Sequence, residues 1–120
     1  MNTRVSYLYR DGANNKHGND EVMAGTLTAE QVADIRRVCD EGIWFIPGEV
    51  GLSEIQTYWR DQGYAYPTDN DHAWCELNDP EPTDDPPTVE MTADAFYNRF
   101  VSISEWDVDG AMKRLGLVPA

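Results

Sequence analysis

The sequence is poor in positive charge. Only nine of its 120 residues are Lys or Arg, against 22 Asp or Glu, and the formal net charge at pH 7 is -13. Direct binding to nucleic acid or to an anionic lipid surface would have to overcome this long-range field. The composition therefore argues against both of these partner classes.

Long apolar runs are also missing. No stretch approaches the roughly 18 apolar residues of a membrane span. The N-terminal segment MNTRVSYLYRDG has no apolar stretch of the kind that a secretory signal requires. From these two absences we expect a soluble, cytoplasmic protein.

Cysteine and histidine are scarce, with two residues of each. Two cysteines do not make a disulfide framework, and we expect Cys39 and Cys75 to be reduced and buried. If residues 72–77 form a strand, His72 and Cys75 point to opposite faces, while His72 and Glu76 lie about 13 Å apart at ~3.3 Å per residue. Neither a complete phosphate-binding loop nor a complete EF-hand loop occurs. We therefore expect no metal site, no cofactor and no catalytic residue.

Apolar and aromatic residues are nevertheless abundant enough for a core. Hydrophobic residues make up 41% of the chain, which contains four Trp, six Tyr and three Phe. A chain of this length is close to the most common size of one domain. We expect residues 1–120 to form a single domain.

Periodicity predicts an N-terminal hairpin followed by a helix. Residues 3–10 alternate apolar and polar side chains, residues 11–19 form a polar loop, and residues 21–27 resume a β pattern. Thr28 opens a capping box, T-x-x-Q, which predicts a helix as far as residue 42.

The rest of the chain predicts shorter elements. The apolar run at 43–46 predicts a buried strand at the centre of the sheet, residues 53–62 a short helix, and residues 72–77 a fourth strand. Thr92 and Asp107 can cap two further helices. The predicted fold class is α+β: a small, mainly antiparallel sheet of about four strands with an N-terminal hairpin, packed against one longer and two or three short helices.

Residues 78–88, NDPEPTDDPPT, form an acidic, proline-rich connector. Four Pro and four acidic residues lie within these eleven positions. Pro lacks a backbone N–H, so this segment cannot propagate a helix or donate a full sheet ladder. We predict either an ordered loop or a flexible linker.

Three segments carry a resemblance: YLYRDGANNK at 7–16, FIPGEVGL at 45–52 and DHAWCEL at 71–77. They resemble a group of short proteins from bacterial and phage genomes. The resemblance implies a compact α+β domain and a prokaryotic or mobile-element origin, and it carries over no catalytic residue. In comparable chains the third segment often continues as His-Glu-Leu, whereas here Cys75 precedes Glu76. A metal role for a second His at that position is therefore absent.

Negative charge is concentrated in the second half of the chain. Between Asp69 and Asp109 there are twelve acidic residues and one base, Arg99. Such a field either keeps a small protein soluble or steers a basic partner onto it. The aromatic residues between Tyr58 and Trp74 either pack inside or form an exposed patch of binding anchors.

These patterns favour a non-enzymatic acidic binding protein that covers a basic protein surface. A phage or mobile-element inhibitor, of anti-defence or immunity type, is one such protein, and a nucleic-acid-binding protein is one such partner. The expected partner-binding residues are Asp69, Asp71, Asp79, Glu81, Asp84, Asp85, Tyr64, Tyr66 and Trp74. The alternative is a small enzyme or metal-dependent protein organised around His72.

Overall fold

The computed structural model describes residues 1–117 and has the predicted α+β architecture. The elements, in chain order, are β1 (Asn2–Arg10), β2 (Lys16–Ala24), α1 (Ala29–Val38), β3 (Trp44–Phe45), a 3-10 helix (Pro47–Val50), α2 (Tyr58–Asp61), β4 (Cys75–Leu77), β5 (Glu81–Thr83), α3 (Ala93–Val101) and α4 (Val108–Arg114). Within residues 1–117, no helix is long and apolar enough to cross a membrane.

The sheet has the order β2–β1–β4–β3, and all neighbouring strands are antiparallel. β5 pairs with the beginning of β1 on the same side as β4. β1 is therefore the central strand. The prediction that the apolar run at 43–46 forms the centre was wrong, because β3 pairs with β4 alone. Phe45 and Ile46 are fully buried, so the apolar run indicated burial in the core rather than a central position.

The hairpin is longer and its turn is tighter than the sequence predicts. β1 and β2 pair over all nine residues, from Asn2 opposite Ala24 to Arg10 opposite Lys16. The polar loop predicted at 11–19 thus shrinks to residues 11–15. Asp11 closes it, because its Oδ1 accepts hydrogen bonds from the backbone N–H groups of Ala13 and Asn15, both at 2.9 Å.

The core lies on one face of the sheet. Alternate residues of β1, Val5, Tyr7 and Tyr9, are buried there and belong to the same cluster as Ile35 of α1 and Phe96 of α3. The capping box at Thr28 is present, with the side chains of Thr28 and Gln31 each bonded to the other's backbone N–H. α1 ends before the predicted residue 42, because Cys39 leaves the helical conformation. Both cysteines are free and buried, as predicted.

Two other elements differ from the prediction in their boundaries. α2 is only four residues long, because the Ser53 hydroxyl donates to Glu21 at 2.9 Å instead of capping a helix. β4 begins at Cys75 rather than at residue 72. α3 and α4 begin where predicted, because Thr92 accepts a hydrogen bond from Ala95 N–H and Asp107 accepts one from Gly110 N–H.

Residues 78–88 are an ordered strap across the end of the sheet. β5 places Pro82 opposite Thr3 on one side of β1, and Asp85 then forms an ion pair with Arg4. Thr88 reaches β2, where its N–H donates to Val22 O at 2.9 Å and its hydroxyl accepts from Val22 N–H at 2.8 Å. The strap therefore joins two edges of the sheet, and its strand β5 was not predicted from the sequence.

Candidate binding surface

His72 is held by backbone groups on both sides of its ring. Nε2 lies 2.7 Å from Arg10 O, and Nδ1 accepts a hydrogen bond from Trp74 N–H at 3.1 Å. This pattern selects the tautomer in which Nε2–H donates to Arg10 O. The ring therefore ties β1 to the segment before β4. Within residues 1–117, no group of three or more His, Cys, Asp and Glu side chains is placed as metal ligands would be.

The thiols show no sign of activation. Burial raises the pKa of the Cys39 thiol to about 11, and burial raises that of the Cys75 thiol still further. A thiol is nucleophilic mainly as its thiolate, which these surroundings disfavour.

Two of the predicted strap residues form ion pairs with arginines of the same chain. Asp79 accepts from Arg36, with Nη2 2.5 Å from Oδ1, and Asp85 pairs with Arg4. Glu81 and Asp84 are exposed. The strap therefore offers fewer uncommitted carboxylates than its composition suggests.

Segment 64–71 holds four of the other predicted residues. Asp71 accepts from Tyr9 OH at 2.6 Å and from Thr68 N–H at 2.9 Å, so its carboxylate is fixed in place. Tyr66 OH donates to Leu115 O at 2.7 Å, and burial, followed by the Asp71 charge, raises the pKa of Tyr66 to about 12. Tyr64 is 66% exposed, and Asp69 is exposed as well.

Tyr64 and Asp71 border a cleft of about 350 Å³ between the β1–β2 turn and segment 64–71. We call it the loop cleft; its lining residues are Asp11, Asn15, Trp59, Tyr64, Ala65, Thr68, Asn70 and Asp71. The sequence placed Asp11 and Asn15 in a hairpin loop but did not associate them with Tyr64, since Asn15 and Tyr64 are 49 positions apart in the chain.

Trp74, the last predicted residue, lies on a second surface. It shares a cleft of about 340 Å³ with Asp40, Glu41, Trp44 and His72. Its ring meets that of Trp106 edge to face at 6.4 Å, and Trp106 lines a neighbouring cleft with Glu105, Asp107, Val108 and Asp109. We call these two clefts together the tryptophan face.

The tryptophan face is negatively charged throughout. Its linings contain three tryptophans and five carboxylates, and neither of them includes a Lys or Arg. Beside it, burial raises the pKa of Glu49 above its ordinary value, although a hydrogen bond from Asp107 N–H opposes the shift. The sequence shows that Trp44 and Trp106 each have acidic neighbours. Its spacing does not predict that positions 40–44 and 105–109 lie close together in the fold.

No protein-family model, no curated protein and no solved structure matches this chain.

Proposed function

We propose that the protein is a non-enzymatic, acidic binding protein that covers a basic surface of a partner protein. The partner class that fits its charge is a nucleic-acid-binding protein, because such proteins carry a dense patch of Lys and Arg. An inhibitor of anti-defence or immunity type, encoded by a phage or mobile element, acts in this way, by occupying the surface that nucleic acid would use.

The tryptophan face is the observation that carries this proposal. Tryptophan is enriched among the residues that dominate binding energy, since it buries a large area with few rotatable bonds. Carboxylates around such anchors accelerate encounter with a basic partner and penalise acidic ones. Trp44, Trp74 and Trp106 are each partly exposed and stand beside Asp40, Glu41 or the acids at 105–109.

The other exposed acids extend the same field. Asp69, Glu81 and Asp84 are exposed and contribute to steering in this proposal. Asp71, Asp79 and Asp85 contribute charge while remaining bonded to the fold.

The His72 alternative gains no support from the ring's surroundings. A general base needs a ring nitrogen that can reach the proton it removes. Both nitrogens of His72 are bonded to backbone groups.

Two charge-matched variants test the proposal. The first neutralises the tryptophan face by Asp40→Asn, Glu41→Gln, Glu105→Gln and Asp109→Asn. The control neutralises four exposed acids that line neither cleft of the tryptophan face, by Asp20→Asn, Glu30→Gln, Glu90→Gln and Asp94→Asn. Both variants gain four units of charge, and every replaced side chain is exposed, so we expect both to fold.

The probe is immobilised nona-arginine, a minimal basic peptide, and the measurement is the association rate at low and high salt. We expect the tryptophan-face variant to bind at least ~10-fold more slowly than wild type at low salt, with a smaller difference at high salt. The control variant should remain close to wild type. Equal losses in the two variants would show that only net charge matters, and the proposal would fail.

A further inference from the structure

We propose that the loop cleft receives the guanidinium group of one arginine side chain from the basic partner. This inference rests on the proposed function for the source of the arginine. The cleft itself indicates the chemistry of the ligand, because a planar cation can lie against its aromatic walls and bond to its carboxylates.

Aromatic rings form two sides of the cleft. The rings of Trp59 and Tyr64 meet nearly at right angles, with an interplanar angle of 83° and centroids 5.8 Å apart. Tyr64 is the one aromatic side chain among the large hydrophobics that remain exposed within residues 1–117. A cation is attracted to the face of such rings, and Trp is the most favourable of them. An exposed tyrosine held against a tryptophan is therefore suited to a cationic ligand.

Fixed carboxylates supply the negative charge. Asp11 accepts three hydrogen bonds within its turn, including one from the Asn15 side chain at 3.1 Å. Burial raises the pKa of Asp11, but these hydrogen bonds and the nearby His72 outweigh it, so that the pKa is lowered overall. Asp71 is held by Tyr9 and Thr68 across the cleft. Asp11 Oδ2 and Asp71 Oδ1 each accept only one of these hydrogen bonds, so each carboxylate keeps an acceptor position for a cation without rearranging.

The walls of the cleft are joined into one unit. Gly12 N–H donates to Asn70 O at 2.9 Å and links the β1–β2 turn to segment 64–71. Tyr58 packs edge to face against Trp59, with centroids 4.9 Å apart, and stacks on His17 of β2 at 3.7 Å. A site assembled before binding loses little conformational entropy when its ligand arrives. The loop cleft is therefore preformed.

The size of the cleft fits a side chain better than a large ligand. A volume of about 350 Å³ is near the lower end of the range for small-molecule pockets. The lining of the loop cleft contains two aromatic and two acidic side chains and shares no residue with the lining of the tryptophan face. The cleft can therefore be tested separately from the tryptophan face.

The test follows the indole N–H signals of the isotope-labelled full chain by NMR, because the four tryptophans divide between the two surfaces. Trp59 reports on the loop cleft, and Trp44, Trp74 and Trp106 report on the tryptophan face. The probes are ethylguanidinium, its neutral isostere ethylurea, and nona-arginine. We expect ethylguanidinium and nona-arginine, but not ethylurea, to shift the Trp59 signal saturably.

Two variants and two controls define the site. Tyr64→Ala removes an exposed ring and should leave the fold intact, while Asp11→Asn removes the charge with little change in shape. Each should weaken ethylguanidinium binding at least about threefold. Ile43→Ala, at another exposed apolar position, and Asp20→Asn, at an exposed acid of β2, should bind as wild type does. Because Asp11→Asn also removes the acceptor of the Asn15 side-chain hydrogen bond, Tyr64→Ala is the decisive variant.

Other outcomes would overturn the inference in distinguishable ways. If ethylguanidinium did not shift the Trp59 signal, or if Tyr64→Ala bound ethylguanidinium with unchanged affinity, the proposed site would be refuted. Nona-arginine shifts confined to Trp44, Trp74 and Trp106 would also refute it but leave the proposed function standing. A response of Trp59 to ethylguanidinium without any response to nona-arginine would assign the cleft to a free cation and refute the partner arginine.

Discussion

Replacing Arg36 should show whether this side chain stabilises the fold through its hydrogen bonds to backbone carbonyls or through its surface ion pair. Its Nη1 donates to Leu77 O at 2.7 Å and to Gly42 O at 3.0 Å, and its other nitrogens bond to Asp79 on the strap. One guanidinium thus links α1, the turn after it, β4 and the strap. The perturbation is Arg36→Met, compared with Asp79→Asn.

The two changes should differ in size. A hydrogen bond from a charged donor contributes roughly 1.5–3 kcal/mol, and two carbonyl acceptors lose theirs in Arg36→Met. The Arg36 side chain is 31% exposed, so water replaces part of this loss. We expect the free energy of unfolding to fall by about 2–3 kcal/mol. The Asp79 side chain is 68% exposed, and loss of that ion pair should cost no more than about 1 kcal/mol.

Urea unfolding, with the slope m checked for constancy, measures both free energies. Arg37→Met is the matched control, since Arg37 is 69% exposed and, within residues 1–117, pairs only with Asp34 in its own helix. Its cost should stay below about 0.5 kcal/mol. Arg36→Lys should recover little, because an ammonium lacks the planar fork that reaches separate acceptors. If Asp79→Asn cost as much as Arg36→Met, the ion pair would be the support and the reasoning from the carbonyls would be wrong.

Two further predictions concern pH. Burial lowers the pKa of His17 below its ordinary 6.5, so its stabilising contribution is present above pH 6.5 and is lost as the pH falls through the folded-state pKa. The urea midpoint should therefore fall less between about pH 7 and pH 5 in His17→Phe than in wild type, and an unchanged fall would contradict this. Burial raises the pKa of Tyr66 from 10.0 to about 12, so its contribution is present below pH 10 and is lost as the pH rises toward 12. Tyr66→Phe should cost about 1 kcal/mol at neutral pH through the lost bond to Leu115 O, yet its unfolding free energy should decline less than that of wild type above about pH 10, and an equal decline would count against the assignment.

Short sequence patterns predicted the elements that depend on interactions between residues close together in the chain. The alternation along β1 reflects a strand with one buried face, and the caps at Thr28, Thr92 and Asp107 each bond within three residues. These features depend on neighbours in sequence, so the sequence was sufficient to predict them.

The remaining features depend on partners far along the chain. Polar residues from Lys16 to Asp20 become strand because β1 pairs with them, in spite of their loop-like composition. Asp85 was predicted as a partner contact, yet it lies beside Arg4, which is 81 residues away. The loop cleft and the tryptophan face both join residues from separate segments, and single-sequence patterns hold no information about such distances.

The strap has a consequence for self-association. The edges of a β-sheet expose unpaired N–H and C=O groups, to which a strand of another molecule can add. Here β5 occupies the edge of β1 at Asn2–Arg4, and Thr88 occupies both backbone groups of Val22 on the far side of β2. Because Pro80, Pro82, Pro86 and Pro87 have no N–H, the strap closes those positions while offering few donors of its own to an incoming strand. An acidic, proline-rich segment that resembles a linker in the sequence thus blocks the addition of another strand at Asn2–Arg4 of β1 and at Val22 of β2.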